Sequence, residues 1–183
     1  MQPLIPSGIL GRTEIRHLTK GMTALHINGK LMMDDSDREK TTNQFALDAC
    51  HGDILIGGLG IGMLPCALAQ KDKVTSITMV ESSQEVIDLV WSPVRDFCSE
   101  TRPELALDLI KSDIFKYRVP TGKTFDSIYI DIWFSVDAAA RREQARLRKQ
   151  FQKHLRHADS FIGFWLEKEV DVVSRIKEQF EVA

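Results

Sequence analysis

One stretch limits what the rest of this chain can fold into: Gly52-Asp53-Ile54-Leu55-Ile56-Gly57-Gly58-Leu59-Gly60-Ile61-Gly62-Met63-Leu64-Pro65-Cys66-Ala67-Leu68. A short apolar run breaks into four glycines within six residues, and apolar residues return at helical spacing at Leu64, Ala67 and Leu68. This pattern predicts a buried strand, a tight turn and a helix. Pro65 suits the first turn of that helix, where a missing N–H leaves nothing unpaired. The glycines let the backbone approach a ligand closely, and free N–H groups at the helix start favour an oxygen-rich or anionic guest. The expected ligand is a nucleotide-like molecule.

Three carboxylates follow at matching places. The apolar run Val74 to Val80 ends in Glu81, Leu105 to Ile110 is followed shortly by Asp113, and Phe125 to Ile130 ends in Asp131. In open α/β sheets ligands bind beyond the carboxyl ends of the strands, so these acids face the same crevice as the glycines. Glu81 stands where an acid can accept hydrogen bonds from both hydroxyls of a ribose. The expected fold is α/β, a doubly wound and mostly parallel Rossmann-like sheet, because strand and helix alternate five times from residue 53 onward.

Ahead of this sheet, residues 1–12 are punctuated by Pro3, Pro6, Gly8 and Gly11, and little regular structure is expected before Thr13. Strand-like runs from Glu14 to Met33 flank Asn28-Gly29, a strong signal for a two-residue hairpin turn. Residues 1–35 are therefore assigned to an arm and β-hairpin, and residues 36–183 to the Rossmann-like domain. A helix over Asp37 to Cys50 offers Phe45, Leu47 and Ala49 for packing, with Gly52 ending it. Asp34-Asp35-Ser36-Asp37 lacks the glycine and terminal glutamate of a calcium loop and reads as a solvated turn, so no metal site is expected.

Ser82-Ser83-Gln84-Glu85 has the form of a capping box, and Pro93 marks a break or kink in the helix it starts. The longest helix is expected over residues 137–158, with Ala140, Leu147, Phe151, Leu155 and Ala158 on one stripe. Its other face carries Arg141, Arg142, Arg146, Arg148, Lys149, Lys153 and Arg156 against Glu143 alone. Such a basic helix, spanning 141–156, could track nucleic-acid phosphates, but a solvated outer face is the reading adopted. Phe161 to Leu166 is expected as a fifth strand and Val170 to Phe180 as a final helix. The net charge of −2 says little about partners. Cys50, Cys66 and Cys98 have neither disulfide nor metal spacing and fit a reducing cytoplasm. Neither a signal peptide nor a membrane span is expected.

Taken together, Gly58-x-Gly60-x-Gly62, Glu81, Asp113 and Asp131 resemble the class I S-adenosylmethionine-dependent methyltransferases. Ile56-Gly57-Gly58, the hairpin Asn28-Gly29-Lys30-Leu31-Met32 and Phe125-Asp126-Ser127-Ile128-Tyr129-Ile130-Asp131 are most similar to their spermidine synthase branch. The resemblance covers about residues 23–167. It implies a methyltransferase-type sheet without its last two strands, and S-adenosylmethionine or its decarboxylated form as cofactor. Gly57, Gly58, Gly60, Gly62, Glu81, Ser82, Asp113, Ile114 and Asp131 would bind that cofactor. Within that set, Glu81 would take the ribose hydroxyls, Asp113 the adenine amino group and the Ile114 N–H an adenine nitrogen. Asp131 would stand at the reacting centre as the catalytic residue.

Departures from the branch matter equally. The polyamine-binding loop after the fourth strand reads Asp131-Ile132-Trp133-Phe134 and keeps only its first acid, the hairpin glutamine is Met32, and a Tyr-containing pair is Thr41-Thr42. Methyl transfer to a small acceptor is therefore the leading expectation, with Trp133 and Phe134 shaping an apolar pocket. Aminopropyl transfer and a non-catalytic scaffold are the alternatives. A homodimer covering a sheet edge is also expected.

Overall fold

The computed structural model describes residues 4–18, 21–135 and 137–167. The chain first forms an antiparallel meander of β1 (Gly8–Leu10), β2 (Thr13–His17), β3 (Thr23–Ile27) and β4 (Lys30–Asp34), ordered β1-β2-β3-β4. Asn28 and Gly29 join β3 to β4 with positive φ of 53° and 72°, as a two-residue primed turn requires. The expected hairpin is thus present within a larger sheet, and the arm is less loose than its glycines predicted. Gly8 to Leu10 pairs with Thr13 to Ile15, and a side chain at Gly8 would press on Leu89.

After α1 (Asp37–Ala49), the second sheet is built from β5 (Gly52–Gly57), β6 (Val74–Glu81), β7 (Ala106–Lys111), β8 (Ser127–Ile130) and β9 (Phe161–Phe164). All four pairings are parallel, in the order β7-β6-β5-β8-β9. From β5 the chain steps outward to β7, then returns to β8 on the other side, so the glycine turn after β5 sits where the winding reverses. Helices α2 (Met63–Ala69), α3 (Gln84–Thr101) and α4 (Ala138–Phe151) complete the layers. Alternate strand residues feed two cores. Ile54, Ile56, Ile77, Met79 and Tyr129 pack toward α1, α2 and α3. Leu55, Val80, Ile128 and Ile130 pack with Leu147 and Phe151 of α4. A sheet buried on both faces explains why its strands read as continuous apolar runs.

Several local expectations are corrected. Strand and helix do not alternate throughout, because β7 and β8 are joined by turns and loop rather than a helix. Pro93 does not break α3: Val86, Val90, Val94 and Cys98 form a buried stripe at spacing four, and this packing outweighs the lost hydrogen bond. At 18 residues α3 is the longest described helix, whereas α4 closes at Phe151 and passes into a 3-10 turn, Gln152–His154. The α3 cap is Ser83, whose Oγ accepts from the Val86 N–H. Glu85 instead accepts from the Arg12 N–H and the Thr13 hydroxyl, fastening the N-terminal sheet to α3.

Helix α1 ends at an extended Cys50, and Gly52 takes its positive φ at the start of β5, where a side chain would collide with Asp126. Phe161 to Phe164 is strand, but Trp165 and Leu166 turn away from it. The helix expected over Val170 to Phe180 lies outside the described residues.

Candidate functional site

The carboxyl ends of β5, β6, β7 and β8 open onto one cavity of about 540 Å³, roofed by α1 and the β3–β4 hairpin. Glu81, Asp113 and Asp131 all line it, as do Gly58, Gly60, Ser82 and Ile114. Gly57 and Gly62 do not reach the wall. A side chain at Gly57 would press on Ile114 and Ile130, and one at Gly62 would meet Val94, so these two glycines serve internal packing.

Gly58 has a φ of +98°, and a Cβ there would run into the Asp131 carbonyl oxygen. This close approach is tied by the Asp131 N–H, which donates to the Gly57 carbonyl at 2.8 Å. The turn after β5 and the loop after β8 are therefore held against each other. At Gly60 a side chain would strike the Met33 sulfur, which itself accepts from the Ile61 N–H at 3.3 Å. Met33 on β4 thus closes the cavity over the glycine turn.

Glu81 is only 9% exposed, and its carboxylate spans two elements. Oε2 accepts from the Leu59 N–H at 2.9 Å, and Oε1 accepts from the Ser83 N–H at 2.7 Å. Ser82 Oγ lies 3.4 Å from Oε1. A carboxylate has about four acceptor positions, so two backbone donors and the long Ser82 hydroxyl contact leave one free, and a ribose diol would use that one and replace the Ser82 hydroxyl at the other. Asp113 Oδ1 accepts from the Phe115 N–H at 2.9 Å, fixing the turn after β7, and its Oδ2 lies 3.7 Å from Lys116 Nζ.

The other end of the cavity is built by α1 and the loop after β8. Burial, reinforced by the nearby Glu39 carboxylate, pushes Asp131 up to about 7. Glu39 and Asn43 both line the cavity. Asn43 is 6% exposed; its Nδ2 donates to the Glu39 carbonyl at 3.1 Å, and its Oδ1 has no hydrogen-bond partner among the described residues. Trp165 lines this end with its Nε1 donating to Thr42 Oγ1 at 3.2 Å, and Trp133 does so with Nε1 donating to Glu143 Oε2 at 2.8 Å. Phe134 is 68% exposed and is not part of the wall, against the expectation that it helps shape the pocket.

Sequence reasoning missed Glu39 and Asn43. It named Phe45, Leu47 and Ala49 as packing positions of α1; Phe45 does pack edge-on to Phe161 and Leu47 against the core, but the fully buried positions are Asn43, Ala46 and the following Cys50. Glu39, Asn43, Ala46 and Cys50 follow helical spacing, and two polar residues on such a stripe are the signal that was available.

The basic face of α4 is partly consumed by the fold. Arg148 pairs with Glu167 and covers the Phe164 ring, and Arg156, beyond the helix, bridges Asp53 and Asp126. Among the described residues no cluster of three or more His, Cys, Asp or Glu side chains could hold a metal ion. None of the described helices is long and apolar enough to cross a membrane.

No family model matches the chain, and no curated protein matches it in sequence. Among solved structures, spermidine synthase from Thermotoga maritima is similar over 82% of this chain, at 18% identity and a TM-score of 0.56. A spermidine synthase in complex with the transition-state analogue AdoDATO is similar over 82%, at 17% identity and a TM-score of 0.55. The chain spans about half the length of these relatives, 52% and 54% respectively. The fold is therefore the one that these spermidine synthase structures share over most of this chain.

Proposed function

We propose that this chain binds S-adenosylmethionine at the carboxyl end of its parallel sheet and transfers the methyl group to a small acceptor. The observation that carries this reading is the convergence of Glu81, Asp113 and Asp131, from three strand ends, with Gly58 and Gly60 on a single cavity. Its volume of about 540 Å³ falls within the range of sites that enclose small molecules. Gly58 and Gly60 would lie beneath the methionine part, Glu81 would accept both ribose hydroxyls, and Asp113 with the Ile114 N–H would take the adenine edge.

When bound, this cofactor supplies an activated carbon: the carbon–sulfur bond breaks as the acceptor's electron pair forms the new bond, and sulfur leaves as a thioether. The chain's own work is then positioning and proton removal. Asp131, held near 7, is ionised in part at neutral pH and basic enough to take the proton that the acceptor releases. Trp133 and Trp165 limit how far water can reach that carboxyl.

One observation favours aminopropyl transfer as a second reading. Glu39 adds to Asp131 an acid that the loop sequence alone did not supply. Calorimetric titration with S-adenosylmethionine, its demethylated product and its decarboxylated form separates the readings. Methyl transfer predicts binding of the first two. Preference for the decarboxylated ligand supports aminopropyl transfer, and binding of none of the three leaves a scaffold.

A further inference from the structure

Like charges three or four residues apart on a helix repel one another, so a sequence that repeats them without acids between loses stability unless something outside the helix compensates. Arg142, Arg146, Lys149 and Lys153 stand at steps of four, three and four along α4 and the 3-10 turn after it, and all four are exposed. Among the described residues none of the four makes an ion pair, whereas Arg148 is paired with Glu167, and Arg156 with Asp53 and Asp126. The one acid within α4, Glu143, accepts from the Trp133 ring nitrogen, and Asp137, near Arg142, is occupied in capping the helix.

Neighbouring elements extend this row. Gln150 Nε2 donates to the Tyr117 carbonyl at 3.1 Å, which docks α4 on the turn after β7. Arg118 of that turn lines a hollow of about 370 Å³ together with Tyr117, Gln150, Lys153 and His154. Nearer the other end, the Arg146 guanidinium lies 5.4 Å from the centre of the Phe115 ring, which lines the large cavity. The cations thus run from the cavity rim to a second hollow, about 17 Å from Arg142 to Lys153 at the helical rise. Phe134 is 68% exposed and follows Trp133, which is bonded to Glu143, so an uncovered ring stands near the start of the row.

Cations spaced along an exposed line match a chain of phosphates, and a concave basic hollow at one end strengthens their field. An exposed aromatic ring beside such a line suits unpaired bases, whose faces stack on it. Carboxylates of an acidic peptide would match the charges and leave the ring unused. We propose that the outer face of α4, the turn after β7 and Phe134 form a track for single-stranded nucleic acid. Arg142, Arg146, Lys149, Lys153 and Arg118 hold its phosphates, and Phe134 stacks on a base. The track lies outside the cavity and does not depend on the transfer reading above.

The test is fluorescence anisotropy of the full chain with labelled 12-nucleotide oligouridylate and oligothymidylate, in competition with a 12-base-pair DNA duplex and with inorganic polyphosphate. At least one single strand is expected to bind about fivefold more tightly than the duplex or the polyphosphate, and the preferred strand shows whether the partner is RNA or DNA. The slope of log affinity against log salt is expected near about −3, the value for about four phosphates on a single strand. Arg146→Ala/Lys149→Ala/Lys153→Ala should weaken binding at least about tenfold at 100 mM salt and bring the slope about 2 closer to zero. Phe134→Ala should weaken it about fivefold with the slope unchanged. Arg38→Ala/Lys40→Ala/Arg95→Ala removes as much charge from α1 and α3, across the sheet, and should leave binding within about twofold of wild type, and all three variants should keep the wild-type urea midpoint. The proposal is overturned if neither strand binds, if duplex or polyphosphate binds as tightly, if the α4 variant keeps wild-type affinity and slope, if Phe134→Ala has no effect, or if the α1 and α3 variant loses as much binding as the α4 variant.

Discussion

Asp126 and Asp131 bracket the same strand, β8, yet its two ends treat a carboxylate in opposite ways. At the amino end, Arg156 bridges Asp126 and Asp53, and Asp126 Oδ2 also accepts from the Asp53 N–H at 2.8 Å. Burial alone would raise Asp53, but its hydrogen bonds from Arg156, Ser76 and Thr75 outweigh that and hold it down to about 2. At the carboxyl end, burial and Glu39 push Asp131 up to about 7. The difference separates scaffold from site: a guanidinium lowers the carboxyl where the sheet is only held together, and burial raises it where a guest is expected.

The two ends can be set against each other by substitution. The largest expected effect is from Gly58→Ala, because the positive φ and the Asp131 carbonyl both oppose a side chain. A loss of about 3 kcal/mol in urea unfolding is predicted, together with loss of cofactor-product binding. Next, Glu81→Ala should weaken S-adenosylhomocysteine binding about 100-fold by calorimetry, through two lost hydrogen bonds to a charged acceptor. Wild-type affinity in that variant would mean that the ribose is held elsewhere.

Asp131→Asn should leave the amino end untouched while removing a charge that is costly to bury. A carboxyl raised in the folded state contributes stability that is present below its unfolded value of 3.8 and lost as pH rises toward about 7. The variant should therefore gain about 1–3 kcal/mol at pH 8 and flatten the fall in stability between pH 4 and 7, as read from urea melts. Asp53 carries the opposite sign: its contribution is present above 3.8 and lost as pH falls toward about 2. Arg156→Ala should cost about 1–2 kcal/mol at pH 7, kept modest because the Arg156 side chain is 35% exposed, and should shrink that acid-side loss. Equal pH profiles for Asp131→Asn and Arg156→Ala would erase the distinction between the two ends.

Much of the cavity wall at the ends of β5, β6 and β7 was legible because its determinants are local. Glycines between an apolar strand and a helix, and an acid just past each strand, are fixed by the chain's own periodicity. The parallel order and the hairpin at Asn28-Gly29 followed from the same signals. Glu39 and Asn43 were not legible as wall residues, because they join Asp131 on the cavity only through the tertiary placement of α1, and the polar members of its buried stripe were passed over for the apolar Phe45, Leu47 and Ala49. Ser83 displaced the expected capping box for a related reason: Glu85 found its partners 72 and 73 residues away, on the N-terminal sheet. Local pattern also gave Pro93 the power to break α3, which the buried valine stripe denied it.

A crystal structure grown with S-adenosylhomocysteine tests the central claim most directly. The account predicts the adenosine in the cavity above Gly58 and Gly60, with both ribose hydroxyls within hydrogen-bond distance of Glu81 and the adenine against Asp113 and Ile114. A ligand bound elsewhere, or a ribose turned away from Glu81 with the cavity still open, would contradict it.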